Sequence, residues 1–219
     1  MTDRLARLAP DDADGRAEAV GVLRAGGLVA MPTDTVYGVG VAMSAEDGLK
    51  RLFAAKDRPF DRAIVLLVAD LEQAGSVGVL SPAARALASR FWPGGLTLVL
   101  AQVPGAGLPT DLTAGLSTIG VRVPDHESPR ELARALGPLP VTSANISGHP
   151  APGDAEGVMA QLGALIDLIL DGGPTRGGVP STVVDCSGDL ARILRVGAID
   201  EAAIAAVLQE AGLAHALAE

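Results

Sequence analysis

Short apolar runs recur along the 219-residue chain, divided by glycine, proline and polar segments, and their lengths alternate between those of helices and strands. The spacing predicts a helix over 15–25 closed by Gly26 and Gly27, then a buried strand over 28–31. Ser44 and Asp47 resemble a capping box opening a helix that runs to about Ala55, with Leu49, Leu52 and Phe53 on one face. A strand over 63–68 follows. Ser81 and Pro82 start a helix ending near Phe91, and strands are expected over 96–101 and 119–123. Ser128, Pro129 and Glu131 combine N-cap, first-turn proline and capping-box acid before a helix to Leu136. Further strands are read over 139–142, 165–170, 182–185 and 190–195, and a last helix over 199–208, capped by Asp200 and extending to about 210.

Apolar strands separated by helices predict an α/β fold with a twisted, mixed, mostly parallel sheet covered by helices. No repeat, low-complexity tract or charged linker divides the chain, so one domain over 1–219 is expected, with its motif-bearing core over about 15–198. Binding groups in such sheets project from loops at strand ends. The unusual segments fall there.

Composition changes this picture in three ways. With only 2% aromatics, the core must be built from Val, Leu, Ile and Ala. The net charge of −9 argues against a protein that merely coats nucleic acid, although Lys50, Arg51, Lys56, Arg58 and Arg62 crowd into a short stretch that also suits a solvated helix face. The apolar runs are far shorter than a membrane span, the N-terminus lacks a secretory pattern, and Cys186 is the one cysteine, so a cytoplasmic protein without membrane attachment is expected.

Five segments at strand ends could carry chemistry: PTDTVYG (32–38), KDRP (56–59), PGGLT (93–97), TSANISG (142–148), and PST (180–182) with ILRVG (193–197). Thr33, Thr35 and Ser143 also suit the plainer task of satisfying backbone groups at turns. Other mechanisms fail on the residues. GGPTRGGVPST lacks the GK pair of a phosphate-binding loop, GVGVAM lacks the third glycine of a dinucleotide fingerprint, and no GxSxG elbow occurs. His126, His149 and His215 have no metal-site spacing, so no protein-held metal is expected, and Cys186 reads as a small buried hydrophobe. The remaining set of cationic and hydrogen-bonding side chains suits a reaction limited by positioning and charge neutralisation.

The ordered series PTDTVYG, KDRP, PGGLT, VRVP, TSANISG, PST and LRVG resembles the YrdC/Sua5 family from about Gly26 to Gly197. The resemblance implies the YrdC-like fold with a concave ligand cleft. It also implies synthesis of threonylcarbamoyl-AMP and pyrophosphate from L-threonine, bicarbonate and ATP, with Mg2+ accompanying ATP, for threonylcarbamoyladenosine modification of tRNA. Lys56, Arg58, Ser143 and Asn145 match the catalytic KxR and SxN pairs. Lys56, Arg58, Thr118, Asn145 and Arg195 match ATP-side positions, and Thr33, Thr35, Tyr37, Arg122, Ser143 and Ser181 match threonine-side positions. A threonylcarbamoyl transferase machinery is the implied downstream partner, and weak RNA binding a further one. A non-enzymatic RNA-binding or ribosome-maturation module of the same fold is the alternative. Departures from the longer relatives are Ala63 and Leu67 on the 63–68 strand and Gly95 in PGGLT, and with the sequence ending at Glu219 their extra C-terminal domain is expected to be missing.

Overall fold

A computed structural model describes residues 5–57 and 63–216. The chain runs β1 (Arg7–Pro10), α1 (Ala13–Arg24), β2 (Val29–Met31), β3 (Gly38–Gly40), α2 (Gly48–Ala55), β4 (Val65–Leu67), α3 (Leu71–Val77), α4 (Pro82–Phe91), β5 (Leu96–Ala101) and α5 (Thr110–Thr113). It continues through β6 (Thr118–Arg122), α6 (Glu127–Leu136), β7 (Leu139–Ser143), α7 (Ala155–Leu162), β8 (Leu168–Asp171), β9 (Thr182–Asp185), β10 (Ala191–Arg195), α8 (Glu201–Glu210) and β11 (His215–Ala216). These strands form one mixed sheet in the order β1-β8-β2-β3-β7-β4-β6-β5-β9-β10-β11. Five of the pairings between described strands are parallel and five antiparallel, so the sheet is α/β and mixed as expected, with the parallel pairs spread along it.

Side chains alternate between two apolar clusters, because successive strand residues face opposite sides. Leu28 and Ala30 join a large cluster with Tyr37, Phe53 and Leu87, while Val29 and Met31 join a second with Leu23 and Leu139. Each face of the sheet therefore carries an apolar cluster.

Helix starts follow side-chain chemistry. Asp12, Asp70, Ser81, Asp154 and Asp200 each accept a hydrogen bond from a backbone N–H three residues on. Two expected caps are corrected. Ser44 and Asp47 form no capping box: Asp47 stands at the N-cap with φ 55° and gives its carboxylate to Lys50 at 2.6 Å. Ser128 lies inside α6, whose N-cap is His126, because the buried Ser128 hydroxyl donates to Asp11. Asp11 also holds Arg16 at 2.8 Å, and Arg16 reaches Glu131 at 3.0 Å, so this polar cluster joins α1 to α6.

Two hairpins shape the functional end. β2 and β3 pair antiparallel with Met31 opposite Gly38, which makes 32–37 their connecting loop. β9 and β10 also pair antiparallel, and their register shifts between Ile193 and Arg195, as at a bulge that redirects a side chain. Thr182, fully buried at the start of β9, organises the chain beyond β10. Its hydroxyl oxygen accepts from Gly197 N–H at 2.9 Å and Ile199 N–H at 3.0 Å and donates to the Ile199 carbonyl. Thr182→Val keeps the shape and strands those groups, so urea unfolding should show a loss of about 2–4 kcal/mol; a loss under about 0.5 kcal/mol would contradict this role.

Candidate functional site

The β2–β3 loop, the chain leading into β9, and residues of β4, β5, β6, β7, β9 and β10 surround a cavity of about 560 Å³. Thr33, Thr35, Tyr37, Thr118, Arg122, Ser143, Ser181 and Arg195, all expected on sequence grounds, line it. Lys56 and Asn145 are buried beside it and are not among its lining residues. Arg58 lies outside the described residues, as do Pro59 of KDRP and Arg62.

Arg122 ends β6 and is buried, so its charge must be met by the protein. Its Nε donates to the Gly94 carbonyl at 2.9 Å, Nη1 to Thr35 Oγ1 at 2.9 Å, and Nη2 to Asp34 Oδ1 at 2.6 Å. Burial holds the guanidinium pKa below its ordinary value; Asp34 opposes that shift and nearby Arg195 adds to it. Three of the five guanidinium N–H groups are thereby engaged, and two have no partner among the described residues. Gly95, following the acceptor Gly94, has a structural reason: a Cβ there would lie 2.7 Å from that of Ala198.

Proton accounting separates the two threonines of PTDTVYG. Thr33 donates its hydroxyl proton to the Val36 carbonyl at 2.7 Å and accepts from Thr35 N–H at 3.1 Å and Val36 N–H at 3.3 Å, with Thr35 Oγ1 at 3.0 Å. Thr33 is thus consumed by its own turn. Thr35 Oγ1 accepts from Arg122 and lies against a Thr33 oxygen whose lone pairs are already filled, so its hydroxyl is the one of the pair that can turn to a ligand. Tyr37 is likewise saturated: its hydroxyl donates to the Gly173 carbonyl at 2.9 Å and accepts from Gly172 N–H at 3.1 Å, and burial pushes its pKa up to about 12. It supplies wall, and its polar tip ties β3 to the chain beyond β8.

Ser181 Oγ pairs with Thr97 Oγ1 at 2.8 Å, and the Ser181 carbonyl accepts Arg195 Nη2 at 2.9 Å and Nε at 3.2 Å. Burial lowers the Arg195 pKa as well. Arg122 and Arg195 face one cavity with Asp34 as the ion-pair partner of the former, an arrangement that favours an anionic ligand.

The TSANISG segment is held from three elements. Ala144 N–H donates to Tyr37 O at 2.8 Å, Ser147 N–H to Lys56 O at 2.9 Å, and Ile146 N–H to Gln161 Oε1 at 3.1 Å. The Lys56 ammonium donates to the carbonyls of Ser143 and Asn145, which places its charge beneath the loop. Asn145 Nδ2 donates to Ile146 O and His149 O, both at 2.8 Å, while its buried Oδ1 has no partner among the described residues. The Ser143 hydroxyl faces the cavity with no partner among the described residues.

Sequence reasoning passed over three residues of this region: Asp34, Thr97 and Asp185, the last lining the cavity beside Thr118 and Arg195. Thr97 and Asp34 stood inside recognised motifs, but their contacts are between segments distant in the chain. Leu67 and Ala63 both line the cavity and present apolar surface. Cys186 is buried, and burial pushes its thiol up to about 12, so it is a core residue without nucleophilic character. Among the described residues no group of three or more His, Cys, Asp or Glu could hold a metal ion, and no helix is long and apolar enough to cross a membrane.

Comparisons with known proteins agree with this geometry. The family model Sua5_yciO_yrdC, described as telomere recombination, matches residues 21–197. The chain is 43% identical over 194 residues to a Bacillus subtilis protein named threonylcarbamoyl-AMP synthase, covering 88% of this chain and 56% of that relative, so it spans little more than half of the longer form. A Mycobacterium tuberculosis relative is 43% identical over 195 residues, 89% of each chain. The solved structure of Pyrococcus abyssi Sua5 complexed with L-threonine superposes with a TM-score of 0.87 at 37% identity, covering 97% of this chain and 62% of that one. The chain belongs to the Sua5/YciO/YrdC family.

Proposed function

We propose that the chain is a threonylcarbamoyl-AMP synthase, making threonylcarbamoyladenylate and pyrophosphate from L-threonine, bicarbonate and ATP. The observation that carries this reading is the cavity holding Arg122 and Arg195 among hydroxyl groups, with room for a small anionic substrate next to a polyphosphate. The name of the Bacillus subtilis relative and the threonine complex of the Pyrococcus abyssi structure support it.

In the proposed reaction the threonine amine combines with bicarbonate, loses water and becomes a carbamate. A carbamate oxygen attacks the α-phosphorus of ATP as the bond to the β-phosphate oxygen breaks, and pyrophosphate leaves with the electron pair. The nucleophile is already anionic, so no histidine base is required. Arg122 with its two remaining N–H groups, Thr35 and Ser181 are assigned to the threonine end, with Thr33 and Tyr37 shaping the wall. Thr118, Arg195 and Arg58 are assigned to the nucleotide end. Lys56 and Asn145 act there through the TSANISG loop, which they hold. Guanidinium groups stabilise polyphosphate and the charge moving onto pyrophosphate. Magnesium enters as part of the MgATP substrate. The product would feed a threonylcarbamoyl transferase acting on tRNA, in the cytoplasm. The non-enzymatic RNA-binding alternative has no observation in its favour.

Two measurements test the reading. Pyrophosphate release by the purified protein with MgATP should require both threonine and bicarbonate; equal release with ATP alone would overturn the synthase assignment. Ser143→Ala should leave stability within about 0.5 kcal/mol, because the hydroxyl supports no described residue, yet lower kcat/KM by roughly ten-fold or more. Unchanged kcat/KM in the folded variant would remove Ser143 from the site.

A further inference from the structure

Asp34 is the third residue of PTDTVYG, and none of the ligand assignments above includes it. Its carboxylate accepts from Arg122 Nη2 at 2.6 Å and from Asp125 N–H at 3.1 Å, both on Oδ1. The ion pair is shielded, with side-chain exposures of 7% for Arg122 and 15% for Asp34. The two partners open onto different spaces. Arg122 lines the 560 Å³ cavity. Asp34 lines a second cavity of about 380 Å³ with Asp125, His126 and Arg176, and Arg122 is absent from that lining. Asp34 therefore meets the guanidinium from behind, on the side away from the ligand space.

We infer that Asp34 is a positioning residue for threonine binding, which acts by fixing the plane of the Arg122 guanidinium so that its two unengaged N–H groups face the substrate carboxylate. This rests on the synthase reading above.

The geometry supports orientation as the mechanism. A guanidinium is planar, so acceptors at Nε, Nη1 and Nη2 together define both its position and its rotation. The Gly94 carbonyl and Thr35 hydroxyl supply two of these from neighbouring loops. Without the third, the plane can tilt about the line joining the other two. Bidentate carboxylate recognition depends on that plane. Asp34 is itself fixed through Asp125, so the loop leading into α6 backs the arrangement. A further restraint comes from the chain beyond β8: Gly178 N–H donates to Thr35 O at 2.8 Å, and a Cβ on Gly177 would lie 2.8 Å from Asp34 O.

An orientation role makes a distinctive demand on threonine KM: an uncharged acceptor of the same shape should largely preserve it, while the lost counter-charge lowers the melting temperature. Asp34→Asn retains an oxygen at the Oδ1 position, whereas Asp34→Ala retains nothing and leaves a gap open to the second cavity, where water can enter. The experiment measures kcat and KM for threonine and for ATP in the wild type, both variants, Arg122→Gln and Arg122→Gln/Asp34→Ala, with melting temperature as the check on folding. Asp34→Ala should raise KM for threonine roughly ten-fold while KM for ATP and kcat stay within about three-fold. Asp34→Asn should recover most of the loss. In the Arg122→Gln background, Asp34→Ala should add under two-fold, because the group it positions is gone. Should Asp34→Ala not fold, Asp34→Ser takes its place, since serine is too short to reach Nη2 yet can hydrogen-bond water. Asp34 variants that lose melting temperature with unchanged KM for threonine, or full additivity with Arg122→Gln, would overturn the inference while leaving the synthase reading intact. A wild type whose turnover ignores threonine would overturn both.

Discussion

A guanidinium taken out of water is the constraint around which the functional end of the molecule is built. Placing Arg122 at the end of β6 costs several kcal/mol unless its charge and N–H groups are met. The acceptors come from two loops that precede it in the chain, the β2–β3 connection and the segment before β5. Both must adopt one arrangement for the charge to be tolerated. The saturated Thr33 turn, the close packing of Gly95 against Ala198, and the link from Asp34 to Asp125 then follow as parts of one arrangement. A site held this way is ordered before a ligand arrives, which reduces the entropy lost on binding.

The sheet order brings these loops to one place. β3 sits between β2 and β7, so PTDTVYG and TSANISG start and finish beside each other, and Tyr37 O accepts directly from Ala144 N–H. β5 lies beside β9 in parallel register, which sets Thr97 next to Ser181. The bulge in β10 turns Arg195 back onto the Ser181 carbonyl. Hydroxyls from loops far apart in sequence thereby converge on one cavity, and each can be sorted by whether its proton and lone pairs are already used. Thr33 and Tyr37 are spent on structure, while Ser143 is open toward the cavity.

Strands with strong apolar runs were legible from the sequence: the expected 96–101 and 182–185 coincide with β5 and β9. β3, reading Gly-Val-Gly, was not, because glycine carries no hydrophobic signal, and α7 followed a proline- and glycine-rich stretch that masked its start. Ser128 looked like a cap because local chemistry is all a sequence window offers; the competing partner, Asp11, lies 117 positions away. The candidate site divides the same way. Arginines and hydroxyls in recognisable motifs could be assigned to a ligand end, and eight of them line the cavity. What the motifs could not convey is direction: Lys56 points beneath the TSANISG loop, and Asp34 faces the back of Arg122.

Calorimetric titration of L-threonine into folded wild type and Arg122→Lys tests the role of the buried guanidinium most directly. A lysine has a single nitrogen, which cannot serve Gly94, Thr35, Asp34 and a ligand together. Binding in the wild type and its loss by at least about ten-fold in Arg122→Lys is the expected result. Wild-type affinity for threonine in a folded Arg122→Lys protein would contradict it.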